Sequence, residues 1–92
     1  MSYFKLYPEI RKDLNLERHE WMTFCLILSY GKVMMSTGKM ADVLGMSHSM
    51  VKRALKSLVN KQLITITGVS NSSGRGTIKE VANRELYEYY TH

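Results

Sequence analysis

The chain is poor in cysteine, and it has no long hydrophobic run. Cys25 is the single cysteine, so no disulfide can form within the chain, and its place in an apolar run predicts a buried, unreactive thiol. The longest charge-free stretch around it, Trp21–Gly31, has 11 residues, against the roughly 20 that a transmembrane helix needs. This stretch is not N-terminal and lacks a basic lead-in, so it is not a signal peptide. We therefore expect a cytoplasmic protein with no membrane contact.

Residue patterns for metal binding or catalysis are also missing. The three histidines, His19, His48 and His92, are scattered, and Cys25 has no partner at ligand spacing. No glycine-rich phosphate loop stands between a strand and a helix, and no paired carboxylates occur in an apolar setting. A chain of 92 residues forms one small domain with a limited core. We expect no catalytic residues, no metal and no cofactor, and hence not an enzyme.

Acidic residues are nearly absent from the middle of the chain. Residues 32–79 contain eight lysines and arginines against Asp42 alone, a net charge of +7 within a total of +5. Residues 1–31 are neutral, and residues 80–92 carry a net charge of −2. A basic segment between neutral and acidic flanks indicates a polyanionic partner. The alternative is a basic surface that simply faces solvent.

Hydrophobic periodicity predicts a mainly helical chain with a small β-hairpin. Helices are expected at about 9–14, 16–30, 37–44, 47–60 and 83–91, with a short strand in 32–35 and a hairpin of strands 63–69 and 77–82. The predicted N-caps are Asn15, Ser36 or Thr37, Ser47 and Asn83. The predicted helix ends are Gly31, Gly45 and Asn60.

The stretch MADVLGMSHSMVKRALKSL, residues 40–58, contains a predicted helix end, a predicted helix cap and the start of the next helix within a few residues. Two helices that cross steeply through a short turn need a small residue at the crossing, which Ala41 supplies. Gly45 tolerates the positive φ of the turn, Met46 fills the space beneath it, and Val51, Ala54 and Leu55 face the first helix. This pattern resembles the helix-turn-helix signature of bacterial, phage and plasmid DNA-binding proteins. With the hairpin, the resemblance extends over most of residues 1–92 as a winged helix-turn-helix domain (helix-turn-helix about 37–60, wing about 63–82, C-terminal helix about 83–91).

The resemblance implies double-stranded DNA as the partner, with the second helix in the major groove. Outward positions on that helix are expected to contact bases: Ser47, His48, Ser49, Lys52 and Arg53. Backbone phosphate contacts are expected from Thr37, Lys39, Lys56 and Arg75, the last at the tip 70–76 of the wing. Ser47 has the alternative role of a plain helix cap, and Arg75 that of a solvent-exposed loop residue.

The last helix carries more aromatic surface than a small core requires. Leu86, Tyr87, Tyr89 and Tyr90 are therefore predicted to form a homodimer interface. The alternative is that these tyrosines pack back onto Trp21 and Phe24 of their own chain.

Three functions remain open for such a module. The favoured one is a small transcriptional repressor of phage, plasmid or bacterial type, associated with the nucleoid or a plasmid and independent of a small-molecule effector. The second is a centromere-binding adaptor of a DNA partition system, which would bind a partner protein, or a replication-initiation module. The segments 4–10 and 14–16 resemble the lead-in of winged-helix domains in phage and plasmid replication proteins. From a different class comes a winged helix that binds protein instead of DNA.

Overall fold

Apolar residues spaced three and four apart make the second helix the centre of the molecule. The computed structural model describes residues 4–68 and 77–91. The elements are α1 (Pro8–Asp13), α2 (Arg18–Tyr30), β1 (Lys32–Val33), α3 (Thr37–Leu44), α4 (His48–Asn60), β2 (Ile64–Gly68), β3 (Thr77–Val81) and α5 (Arg84–Thr91). Every side chain of α2 from Thr23 to Leu28 is buried, and α2 contacts α1, α3, α4, α5, β1 and β3. The core is therefore built around α2.

The strands form one antiparallel sheet in the order β1-β3-β2. Ile64 of β2 pairs with Val81 of β3, and Val33 of β1 pairs with Lys79 of β3. This arrangement confirms the predicted fold class, a mainly α winged helix-turn-helix. It also gives the short strand β1 a place, as the third strand beside the hairpin. The predicted wing tip 70–76, with Arg75, and His92 lie outside the described residues.

The turn between α3 and α4 has the predicted chemistry. Ser36 caps α3 by accepting a hydrogen bond from the Lys39 backbone N–H at 3.2 Å. Gly45 ends α3 with φ +69°, a left-handed conformation that glycine adopts without a steric penalty. Ser47 caps α4 by accepting from the Met50 N–H, also at 3.2 Å. Two short helices are thereby fixed across a three-residue turn.

One predicted helix boundary is wrong. Asn15 does not cap α2; it adopts φ +53°, and Glu17 is the N-cap, in a reciprocal capping box with Glu20. Helix α4 ends at Asn60 as predicted, but Asn60 is not in the predicted left-handed conformation. That conformation belongs to Gln62, at φ +62°, because the Leu63 N–H reaches back to the Leu58 carbonyl at 3.0 Å.

Glu20 forms a buried polar contact between α2 and α4 that sequence reasoning missed. Its side chain is 5% exposed, and its carboxylate accepts hydrogen bonds from Ser57 Oγ, from Lys61 Nζ at 3.1 Å and from the Glu17 backbone N–H at 2.9 Å. Burial by itself raises the pKa of Glu20. The hydrogen bonds from Ser57, Glu17 and Lys61 outweigh burial and lower the pKa.

Cys25 is fully buried, as predicted. Burial raises the pKa of its thiol to about 11, so it stays protonated near neutral pH. No helix among residues 4–68 and 77–91 is long and apolar enough to cross a membrane.

We expect Glu20→Ala to lower the free energy of unfolding by about 2–3 kcal/mol, because it leaves Ser57 and Lys61 without their charged acceptor. Urea unfolding at pH 7 measures this value. The matched control is Glu88→Ala, which removes the carboxylate of the exposed Arg84–Glu88 pair and should cost less than about 1 kcal/mol. Equal losses for the two variants would contradict the role of Glu20.

The contribution of Glu20 should also depend on pH. Its pKa in the folded chain lies below the unfolded value of about 4.3, so its stabilisation is complete above that value and is lost as the pH falls through the folded pKa. The stability difference between wild type and Glu20→Gln should narrow below about pH 4. Urea unfolding between pH 7 and pH 2.5 tests this, and a constant difference over that range would refute it.

Candidate nucleic-acid interface

Helix α4 has one buried side and one exposed side. Val51, Ala54, Leu55 and Leu58 are buried against the core. At 100° per residue, the line of positions opposite them is Ser49, Arg53, Lys56 and Asn60, all of which are exposed. No acidic residue occurs between His48 and Asn60. The outward line of α4 is therefore basic and polar, without an acidic residue.

The structure brings four of the five predicted base-contact residues together on this exposed side: His48, Ser49, Lys52 and Arg53. Lys52 and Arg53 face different flanks. Lys52 lines a cleft towards β3, whereas Arg53 lines a cleft towards the start of α2. If α4 entered a groove, these two cations would reach different parts of it.

Ser47 stands at the start of α4, where its hydroxyl acts as the helix cap. Its Oγ also lies 3.4 Å from Ser49 Oγ. The helix-cap alternative for Ser47 therefore has direct structural support. A contact to DNA from Ser47 stays a prediction.

The basic side chains of α4 form no ion pair with any other described residue. Within the described residues, the ion pairs join His19 to Glu17, Lys61 to Glu20, and Arg84 to Glu88. None of them includes Lys52, Arg53 or Lys56. Three positive charges on one helix side are thus available to an anionic partner.

The structure describes three of the four residues predicted to contact phosphates. Lys56 lies on the same outward line as Arg53, one turn further along α4, and Lys39 is exposed on the first turn of α3. Thr37, at the start of α3, is half-buried. Arg75 is outside the described residues, so its predicted contact stays a prediction.

One lysine of the basic middle segment is not on the surface. Lys79 is only 1% exposed, and its Nζ donates to the backbone carbonyls of Met35 at 2.8 Å and Thr77 at 3.3 Å. Burial lowers its pKa. The sequence of β3 does not predict that Lys79 is buried, since a lysine is normally assigned to the outer face of a sheet.

Three of the four residues predicted to form a dimer interface are partly buried against the core of their own chain. Leu86, Tyr87 and Tyr90 pack against the core, and the Tyr90 hydroxyl donates to Asp13 Oδ2 at 3.0 Å. Burial, together with this carboxylate, raises the pKa of Tyr90 to about 12. Tyr89 is 73% exposed. The alternative of packing within the chain thus has structural support.

Solved structures of transcriptional regulators share this fold. A MarR/EmrR family transcriptional regulator from Acinetobacter sp. ADP1 has a TM-score of 0.68 and 25% identity over 94% of this chain and 60% of its own. A possible transcriptional regulator from Methanosarcina mazei Go1 has a TM-score of 0.68 and 19% identity over 96% and 78%. A MarR family transcriptional regulator from Silicibacter pomeroyi has a TM-score of 0.64 and 16% identity over 87% and 52%.

The chain is a winged helix-turn-helix. It spans 60% and 52% of the Acinetobacter and Silicibacter proteins, and 78% of the Methanosarcina protein. Neither a family model nor a curated protein matches its sequence. Two of these solved structures are of transcriptional regulators and one is of a possible transcriptional regulator, in agreement with the expectation from sequence that the chain is not an enzyme.

Proposed function

We propose that this winged helix-turn-helix chain is a sequence-specific double-stranded DNA-binding protein that acts as a small transcriptional repressor. The observation that carries the proposal is the exposed side of α4, which presents Lys52, Arg53 and Lys56 without any ion pair among the described residues. The fold shared with solved transcriptional regulators supports the same function.

The dimensions of α4 fit the major groove. Its 13 residues span about 20 Å, and the groove is about 12 Å wide, enough for one helix. Arg53 on the outward line would donate two hydrogen bonds to guanine O6 and N7. Ser49 and His48 would reach base edges from the first turn, and Lys52 would approach from the side of the wing.

Phosphate contacts would hold this helix in register. Lys56 on the outward line of α4 and Thr37 and Lys39 at the start of α3 would contact phosphates, and Arg75 of the wing would reach the adjacent minor groove or backbone. Such contacts supply affinity without reading sequence. Because each one releases counterions, binding should weaken steeply between about 50 and 200 mM salt.

We infer further that the protein binds as a homodimer on paired half-sites. Specific binding by one small module is usually strengthened by pairing, with half-sites about one helical turn apart. In α5, Tyr89 is the predicted interface residue that is most exposed, and tyrosine is enriched in protein interfaces. We propose a cytoplasmic location, on the nucleoid or a plasmid, where such sites occur.

We expect Arg53→Ala to weaken binding to the preferred site by about 1–3 kcal/mol and to relax the preference at one base pair, because it removes a bidentate base contact. Lys56→Ala should weaken binding equally on all sequences, since it removes a phosphate contact. Fluorescence anisotropy with specific and scrambled duplexes measures both. Equal loss from Arg53→Ala on all DNA would contradict base reading.

The proposed function is tested first by footprinting on DNA from the replicon that encodes the protein, at moderate salt. One protected inverted repeat beside a promoter is the expected result for a repressor. A phased array of protected repeats would instead indicate a partition adaptor or a replication module. Absence of protection would refute sequence-specific DNA binding and favour a protein-interaction module.

A further inference from the structure

Lys79 occupies a sheet position that suits an apolar side chain. In the register of the sheet, Lys79 of β3 lies between Val33 of β1 and Ile66 of β2, so the three side chains share one face. Val33 is 2% exposed and Lys79 is 1% exposed. Lysine is almost never fully buried unless it is paired. An apolar residue here would cost less free energy, which points to a use for the charge.

Among the described residues, the ammonium group of Lys79 has no carboxylate partner. Its Nζ donates to the Met35 and Thr77 carbonyls. All eight aspartates and glutamates lie within the described residues, and none of the ion pairs there includes Lys79. An ammonium carries three N–H donors. In the described part of the chain, one donor and the whole positive charge are therefore uncompensated.

A cleft of about 320 Å³ extends from Lys79 to the surface of α4. It lies between the start of β3, the start of α3 and the exposed flank of α4, and its remaining lining contains no acidic residue: Ser36, Thr37, Gly38, His48, Lys52 and Thr77. The backbone N–H groups of Thr37 and Gly38 at the start of α3 have no acceptor within the helix, whereas the Lys39 N–H donates to the side chain of the cap residue Ser36. The cleft thus combines two cationic side chains with the N-terminal end of a helix dipole.

We propose that this cleft binds one phosphate of the DNA backbone, held jointly by Lys79, Lys52 and the first turn of α3. The inference rests on the proposed function, because the cleft shares Lys52 and His48 with the exposed side of α4. A phosphodiester would accept the third hydrogen bond of Lys79 from the cleft, while the Met35 and Thr77 carbonyls keep the other two. It would also compensate a charge that the fold leaves buried and unpaired.

The contact would tie the wing to the helix-turn-helix unit on the same strand of DNA. Lys79 belongs to β3, whereas Lys52 and Thr37 belong to α4 and α3. A phosphate held by all three would fix the angle at which α4 enters the groove. It would do so equally on every sequence, since a phosphate carries no base identity.

Lys79→Met in the full chain tests the proposal, because methionine is unbranched like lysine and lacks the charge. Anisotropy with specific and random duplexes at about 50–200 mM KCl should show about tenfold weaker binding near 0.1 M salt on both duplexes, and a salt slope reduced by about 1. Lys12→Met, which removes an exposed lysine of α1, is the matched control and should leave affinity and slope unchanged.

The outcomes separate this inference from the proposed function. If the wild-type protein binds DNA and Lys79→Met binds with the same salt slope, Lys79 is a structural lysine and the phosphate site is overturned. This holds whether or not the affinity of Lys79→Met is lower. Wild-type protein that binds no duplex at any salt would refute DNA binding itself, and the phosphate site with it.

A measurement on the wild type covers the case in which Lys79→Met does not fold. NMR of the Lys79 Cε–Hε group gives its pKa in the free protein and in the DNA complex. In the free protein this pKa should lie below the ordinary lysine value, owing to burial. A phosphate beside the ammonium should raise it in the complex. A pKa that does not change on DNA binding would overturn the proposal.

Discussion

The orientation of α4 depends on one directional contact with α2. Apolar packing between the two helices supplies most of the buried surface, but apolar contacts tolerate small rotations and shifts. The Glu20 carboxylate does not, because Ser57 and Lys61 must both stay within hydrogen-bond distance of it. A rotation of α4 by one residue would break both bonds and turn Arg53 and Lys56 away from their outward line. The buried contacts of Glu20 therefore determine which side chains of α4 are exposed to a partner.

Sequence reasoning predicted the parts of the fold that depend on neighbouring residues. Gly45 and Ser47 were assigned correctly because a left-handed turn and a helix cap make local demands on residue type. Glu20 and Lys79 were missed because their side chains form hydrogen bonds with residues that are distant in sequence. Ser57 and Lys61 lie 37 and 41 residues from Glu20, and the Met35 carbonyl lies 44 residues from Lys79. Asn15 was wrongly assigned as a helix cap, and Asn60 was given the wrong backbone conformation, for another reason. Asparagine suits caps, turns and left-handed positions alike, so its presence marks a boundary without fixing its place.

For the candidate site, the sequence predicted the helix and its exposed side but not the depth of each charge. The basic middle segment is a surface property for Lys52, Arg53 and Lys56, whereas Lys79 contributes from within the sheet. A linear count of charges cannot separate these cases, because burial is decided by strand register. The same limit applies to α5, where an aromatic pattern is compatible with packing inside the chain or across two chains, and Tyr90 contacts Asp13 of its own α1.

The isolation of Cys25 has a practical consequence for anyone who wishes to follow this molecule. It is the single thiol in the chain, it is fully buried, and its high pKa leaves almost no thiolate at neutral pH. Maleimide reagents therefore have nothing to attack on the native surface. A cysteine introduced on an exposed position would carry a fluorophore or spin label alone, without prior removal of the natural one and without disturbing the core around α2.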